Sequence, residues 1–289
     1  MTSFCLTVES LSLPYADDID TLVVEGVDPQ AEILNKEVPD WKALIYDSVV
    51  EAKKYAERIA EQACPIVWLL PAWLYFPERK KLFAECFYEA FGAPVSNLIF
   101  HGTSSADAAI ELALANDWQS VELVAIDASF RVNQQCKFVY QGIGSLHARL
   151  TFNSTGWSQQ YHELVPSVDV ENHNAHGGIL NRLTQVLNDD NVDVVVSSGN
   201  GVEATSEAWL DSIQTINNNF SAQTRYHFPQ YNHGKIGALS GLVNLYSLSV
   251  NPLIPREKDV NVLVFSHEQG VNQAVTLYQW KGEESVLNG

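Results

Sequence analysis

Cysteine, basic residues and long apolar runs are all scarce in this 289-residue sequence. The four cysteines, at positions 5, 64, 86 and 136, form neither a C-x-x-C pair nor a dense framework. Disulfides are therefore not expected, and the spacing suits reduced thiols in a reducing compartment. Only 17 Lys and Arg stand against 35 Asp and Glu, a formal charge of −18, and cations never cluster beyond Arg79-Lys80-Lys81. That field repels phosphate backbones and anionic lipid surfaces, so nucleic acid and membrane are not expected partners. The most apolar stretch, Pro65 to Phe76, is about 12 residues long and holds two prolines, short of the ~20 residues that span a bilayer. It reads as core or as protein interface. No basic n-region and apolar run open the chain, so a secretory signal is not expected and the protein reads as cytoplasmic.

What is present suits a folded α/β chain. With 46% hydrophobic and 18% charged residues the sequence can bury a core, in one large or two small units. Periodicity predicts a strand at Thr21–Val24, a helix at Trp41–Ala63, a strand at Ile66–Leu70, a helix at Glu78–Phe91, a strand at Leu98–Phe100 and a helix at Ser104–Ala115. Strands at Val121–Ile126 and Ser145–Phe152 follow, separated by a polar loop at Asn133–Gln135. The order then repeats: strand Tyr161–Val170, helix Gly178–Leu187, strand Val192–Val196, helix Glu203–Ile216, strand Thr224–Phe228, helix Lys235–Leu248, and strands Val260–Ser266 and Ala274–Trp280. Two βαβαβαββ halves, 1–152 and 153–289, are expected to pack as one integrated unit, with parallel sheets covered on both faces and a polar junction at Asn153–Gln160.

Four segments fall at strand ends, where α/β sheets place their ligand sites. His101-Gly102-Thr103-Ser104-Ser105-Ala106-Asp107 runs into a helix whose N–H groups could hold an oxyanion, although a plain Ser/Thr cap also explains it. Val196-Ser197-Ser198-Gly199-Asn200-Gly201-Val202 is a second strand-to-helix turn. His233-Gly234-Lys235-Ile236-Gly237-Ala238-Leu239-Ser240-Gly241 carries small residues that let a helix pack closely, and a lone His233 there is commonly structural. Ser266-His267-Glu268-Gln269-Gly270-Val271-Asn272 joins the last two strands and also reads as a simple hairpin turn.

Taken together, these segments resemble the thiolase superfamily, in particular the β-ketoacyl synthases. Thr103-Ser104-Ser105-Ala106-Asp107-Ala108-Ala109-Ile110 resembles the nucleophile elbow C-S-S-x-x-x-A-[LI], and Val121 to Ala128 resembles the strand after it. Val196 to Val202 is similar to H-G-T-G-T, with Glu207 at the place of a helix glutamate. Gly234 to Gly241 is similar to G-H-x-x-G-A-A-G, and Ser266 to Gln273 to S-F-G-F-G-G-T-N. The resemblance implies a layered αβαβα fold. It also implies a catalytic Cys and two His, and here those positions carry Thr103, Ser198 and Lys235.

A condensing enzyme needs a thiolate to hold the acyl group and two imidazoles to assist decarboxylation. A threonine hydroxyl needs an adjacent base, which neither neutral Ser198 nor protonated Lys235 readily supplies. His233 lies two residues before Lys235 and His101 two before Thr103, so a small register change would bring an imidazole into the pocket. His267, Glu268 and Gln269 replace the Phe-rich gate, and together with His101, Ser104 and His233 they are candidate channel or gate residues. Cys64 and Cys86 read as core, and Cys136 lies in a loop without a base. Glu171-Asn172-His173-Asn174-Ala175-His176 offers two imidazoles and no third ligand nearby, so it reads as a polar loop. Neither a metal nor a cofactor is expected.

Such a chain is similar to the chain-length-factor subunits of type II polyketide synthases, and its short length resembles the truncated subunits of aryl polyene biosynthesis. The resemblance implies a pseudoenzyme that forms a heterodimer with an active ketosynthase, through a central edge at Leu98 to His101, and shapes the acyl channel. Acyl carrier proteins are acidic, so a surface at −18 implies that the carrier docks on the partner instead. Trp68 to Phe76 is a candidate interface or channel wall, or a core strand. Two other readings stand beside this one: a self-sufficient acyltransferase or hydrolase using Thr103 or Ser104, and a homodimeric acyl-binding protein.

Overall fold

The protein is described from a computed structural model, which covers residues 2–25, 36–60, 64–92, 96–133, 135, 137–166, 182–187, 191–197, 217–229, 233–257, 259–268 and 272–282. Local chemistry places the helices. Asp40 accepts the N–H groups of Lys42 and Ala43 through Oδ1, both at 2.9 Å, and so caps helix α1, Trp41–Ala60. Pro77 opens α2, Pro77–Phe91, which ends where Gly92 turns left-handed and donates its N–H to the Tyr88 carbonyl. A short 3-10 turn, Gly102–Ser104, leads into α3, Ser105–Ala115, and α4 spans Ala238–Val250. Residues 182–187 are also helical.

Ten strands form one sheet: β1 Ser3–Ser12, β2 Ile66–Leu69, β3 Leu98–Ile99, β4 Ser120–Val132, β5 Phe138–Asn153, β6 Gly156–Pro166, β7 Val192–Val196, β8 Phe220–His227, β9 Asn261–Glu268 and β10 Asn272–Lys281. Their spatial order is β3-β2-β4-β5-β1-β6-β10-β9-β7-β8. Read outward from the centre, β1 matches β6, β5 matches β10, β4 matches β9, β2 matches β7 and β3 matches β8. The two sides meet at one bridging pair, Phe4 opposite Trp157.

The sheet is mixed, where parallel sheets were expected. The β2–β3, β2–β4, β7–β8 and β7–β9 pairs are parallel, but β4–β5, β1–β5, β1–β6, β6–β10 and β9–β10 are antiparallel. Successive strands β4 and β5 are joined by a short polar loop, in which Asn133 accepts the Gln135 and Lys137 N–H groups, and such a connection forces antiparallel pairing. Other boundaries also differ from the sequence reading. Thr21–Glu25 is a π-helical turn rather than a strand, and the first strand is Ser3–Ser12. The expected junction at Asn153–Gln160 is mostly strand, since β6 begins at Gly156. The expected helix at Glu203–Ile216 lies outside the described residues.

Side chains alternate across β4 and separate two cores. Leu123 and Ala125 pack with α3 and α4, whose other sides meet Val194, Val196, Val262 and Val264 of the second half. Val124 and Ile126 point the other way, onto Ile45, Val49, Phe83 and Phe87 of α1 and α2. On the far face, Leu183 and Leu187 cover Val195, Leu263, Val275 and Leu277. The result is the layered αβαβα arrangement, with α3 and α4 as the inner layer. This is why α4 is buried over most of its surface, with Leu239, Leu242, Val243, Leu245 and Leu248 packed in the core and Ser240 and Ser247 buried beside them.

Candidate functional site

The turn after β3 is built by its own polar groups. The His101 N–H donates to Ser105 Oγ at 3.2 Å, Ser104 Oγ donates to the His101 carbonyl at 3.1 Å, and the Gly102 N–H reaches the Leu70 carbonyl at 3.2 Å. Gly102 adopts φ +57°, where a side chain is strained. A Cβ there would also stand 2.7 Å from Glu268 Oε1. That carboxylate, at the end of β9, accepts the Thr103 N–H at 3.1 Å. Helix α4 closes the turn from the other side: a Cβ on Gly241 would meet the Thr103 carbonyl at 2.8 Å, which explains the run of small residues at its start.

Thr103 and Ser104 are buried, and Thr103 Oγ1 has no hydrogen-bond partner among the described residues. His101 does not reach it. The His101 ring is itself held neutral, its pKa lowered by burial and then by the charge of His162. His233 is fully buried and pushed down to about 4 by desolvation, with Nδ1 2.8 Å from the Gly234 carbonyl, so it too is neutral. Its own carbonyl also accepts the Tyr15 hydroxyl at 2.8 Å. His267 is lowered by burial and then by Lys235. Ser198 and Gln269 lie outside the described residues, as do Cys136, His173, His176 and Glu207. Among the described residues no group of three or more His, Cys, Asp or Glu could hold a metal ion.

Lys235 is held by a two-way backbone bridge to Phe130 of β4, at 2.8 and 2.9 Å. Its Nζ lies 3.9 Å from Glu268 Oε2. Beside this pair sits Asp127, the residue the sequence reading passed over. Its Oδ2 accepts the Ala238 N–H at the start of α4 (2.9 Å), and its Oδ1 accepts the Ala128 N–H at 2.7 Å. Gly237, at φ +50°, admits this carboxylate, for a Cβ would overlap it at 1.9 Å. Burial, then the charge of Glu268, pushes the Asp127 pKa up to about 7, against the lowering effect of the two N–H donors. The signal was an acid directly after the apolar run Leu123–Ile126, since a buried carboxylate must have partners.

Asp127, Lys235 and Glu268 line a cavity of about 320 Å³ whose remaining wall is mainly apolar: Pro39, Trp41, Leu44, Ala72, Trp73, Ala128 and Phe130. Arg79 also lines it, but its guanidinium donates to the Trp73 carbonyl at 2.9 Å and lies over the Trp41, Trp73 and Phe76 rings. The segment Trp68 to Phe76 thus divides into three uses. Trp68, Leu70 and Leu74 are core, Trp73 is cavity wall, and Tyr75 and Phe76 are exposed.

A second buried network lies behind the turn. Asp107 of α3 accepts the Tyr278 hydroxyl from β10, and burial raises its pKa. His162 Nδ1 lies 3.0 Å from Glu111 Oε1, and this pair with Asp107 outweighs burial to raise the His162 pKa. The network binds α3 to β6 and β10.

The layered architecture and the turn after β3 define the class: this is the thiolase-like fold of the ketosynthases. No family model matches the sequence, and no curated protein is similar to it. Among solved structures, the chain is similar to the oxazolomycin ketosynthase domain OzmH KS8 of Streptomyces albus JA3453 (12% identity, TM-score 0.56, 100% of this chain and 98% of that one). It is also similar to the ishigamide ketosynthase/chain length factor (10% identity, TM-score 0.55, 97% and 100% covered) and to ketosynthase twelve of the bacillaene polyketide synthase of Bacillus amyloliquefaciens (11%, TM-score 0.57, 96% and 73%).

Proposed function

We propose that this chain is a non-catalytic ketosynthase-like subunit, of the chain-length-factor kind, which pairs with an active β-ketoacyl synthase in the cytoplasm and shapes its acyl channel. One observation carries the reading. At the nucleophile position Thr103 has a buried hydroxyl that meets no base among the described residues, and its N–H, the group an oxyanion would need, is already taken by Glu268. Resemblance in fold to a ketosynthase/chain length factor supports the reading, within which aryl polyene assembly is the narrower assignment.

The partner would meet the β3 edge of the sheet, Leu98–Ile99, with His101 just beyond it. Exposed Tyr75 and half-buried Phe100 flank Lys80, whose Nζ lies 3.8 and 5.1 Å from their rings, giving that edge an aromatic shoulder suited to an interface. The acyl carrier protein would reach the channel through the partner. Residues 1–152 and 153–289 act, in this reading, as two halves of one integrated domain.

Co-expression with an active ketosynthase, followed by sizing, should give a 1:1 mixed species; persistent homodimers with no mixed species would refute the pairing. Intact-mass measurement after incubation with an acyl thioester should find the chain unmodified. A stoichiometric adduct at Thr103 or Ser104 would instead make it a self-sufficient acyltransferase or hydrolase.

A further inference from the structure

We infer that Glu268 is a specificity-determining residue that makes the cavity select uncharged chain ends over carboxylates. The inference rests on the reading above only in taking the cavity to receive the end of an acyl chain. Three observations meet at this residue. Its carboxylate fills the place an anionic ligand would take, accepting the Thr103 N–H at 3.1 Å while standing 3.9 Å from the Lys235 ammonium. Gly102 is shaped to admit it, since a Cβ there would collide with three atoms of the Glu268 side chain at 2.7 to 2.9 Å. The cavity that Glu268 lines also holds Asp127, so a second carboxylate faces the same space.

Among the described residues, the groups that could receive an incoming anion already face other partners. The Thr103 N–H and Lys235 serve Glu268, and Arg79 is turned to the Trp73 carbonyl and three aromatic rings. A ligand carboxylate entering here would meet fixed negative charge in a partly desolvated space. An apolar chain ending in a neutral group would instead find an aromatic wall, and could donate to Glu268. At about 320 Å³ the room suits a short chain.

The test compares hexanoate with hexanamide, two probes of the same shape and different charge, by calorimetric titration into the full-length chain at pH 8. The native protein should bind hexanamide at least tenfold more tightly than hexanoate. Glu268→Gln, which keeps the shape and can still accept the Thr103 N–H, should shrink that ratio to threefold or less. Trp73→Ala should weaken both probes and so locate them in the cavity. Equal binding of the two probes by the native chain overturns the inference and leaves the channel reading standing. A tenfold ratio that survives in Glu268→Gln also overturns it. Binding of neither probe by either protein refutes the cavity as a ligand site, and the inference with it. Should Glu268→Gln fail to fold, as judged by circular dichroism, Glu268→Ala with the same two probes decides on the same ratios.

Discussion

Replacing Gly102 by alanine tests the packing of Glu268 against the turn, because the structure supplies a matched control. Gly102 and Gly92 both lie in the left-handed region, at φ +57° and +68°. A Cβ at Gly92 meets nothing within 4 Å, whereas one at Gly102 overlaps Glu268 Oε1, Cγ and Cδ at 2.7 to 2.9 Å. Gly92→Ala should therefore lose only the backbone preference, about 1 to 2 kcal/mol. Gly102→Ala loses that and adds an overpacking cost of about 1 to 3 kcal/mol, because the side chain it strikes is buried and held by the Thr103 N–H. At roughly 2.1 cal/mol/K per residue the unfolding entropy of a chain this long is about 0.6 kcal/mol/K, so the second variant should melt about 2 to 5 °C below the first. Scanning calorimetry measures both. Combining Gly102→Ala with Glu268→Ala should restore most of the difference, since the struck atoms are gone. Equal melting of Gly92→Ala and Gly102→Ala would mean that Glu268 does not lie against this turn.

Other perturbations follow from the buried charges. Asp127 has a folded pKa of about 7, above its unfolded value, so its contribution is full below pH ~4 and is lost as pH rises through 7. Asp127→Asn should flatten the fall in urea midpoint between pH 5 and pH 8, and an unchanged slope would contradict the placement. Glu122 of β4 is wholly buried, 2.6 Å from Arg149 Nε and 2.8 Å from His147 Nε2 of β5. Arg149→Met leaves a buried carboxylate short of a partner and should cost about 3 kcal/mol in urea unfolding, well beyond a surface substitution. Tyr278→Phe removes the hydroxyl that Asp107 accepts and should cost about 1 to 3 kcal/mol; a neutral result in the same assay would make that contact dispensable.

The fold was legible where a period persists. Apolar residues at helical spacing marked α1 and α2, and the βαβ rhythm with the elbow-like segment identified the architecture. β1 escaped because it changes phase: Phe4 and Leu6 alternate on the core face, then a bulge between Val8 and Ser10 shifts the register and brings Leu11 inward. Thr21–Val24 misled because a four-residue β-branched run, taken alone, does not separate strand from helical turn.

The site was legible in part. Thr103, Lys235 and Glu268, distant in sequence, meet around the Glu268 carboxylate, and His233 turns its Nδ1 to the Gly234 carbonyl of its own loop. What sequence could not supply is the relation between them. Nothing local links Glu268 to a backbone N–H 165 positions earlier. Likewise, Asp127 acquires its role only when the first turn of α4 arrives from across the fold.

The central seam of the sheet has a mechanical consequence. Among the described residues Phe4 and Trp157 are its one paired couple, and Trp157 is anchored inward, its indole N–H on the Leu248 carbonyl of α4 and its ring edge-on to Trp280. Shear between the left and right wings must then be carried by the sandwiched helices and not by the strand ladder. A load applied to either wing reaches the other through α3, tied to β6 and β10 by Glu111 and Asp107, and through α4, the rod whose first turn grips Asp127.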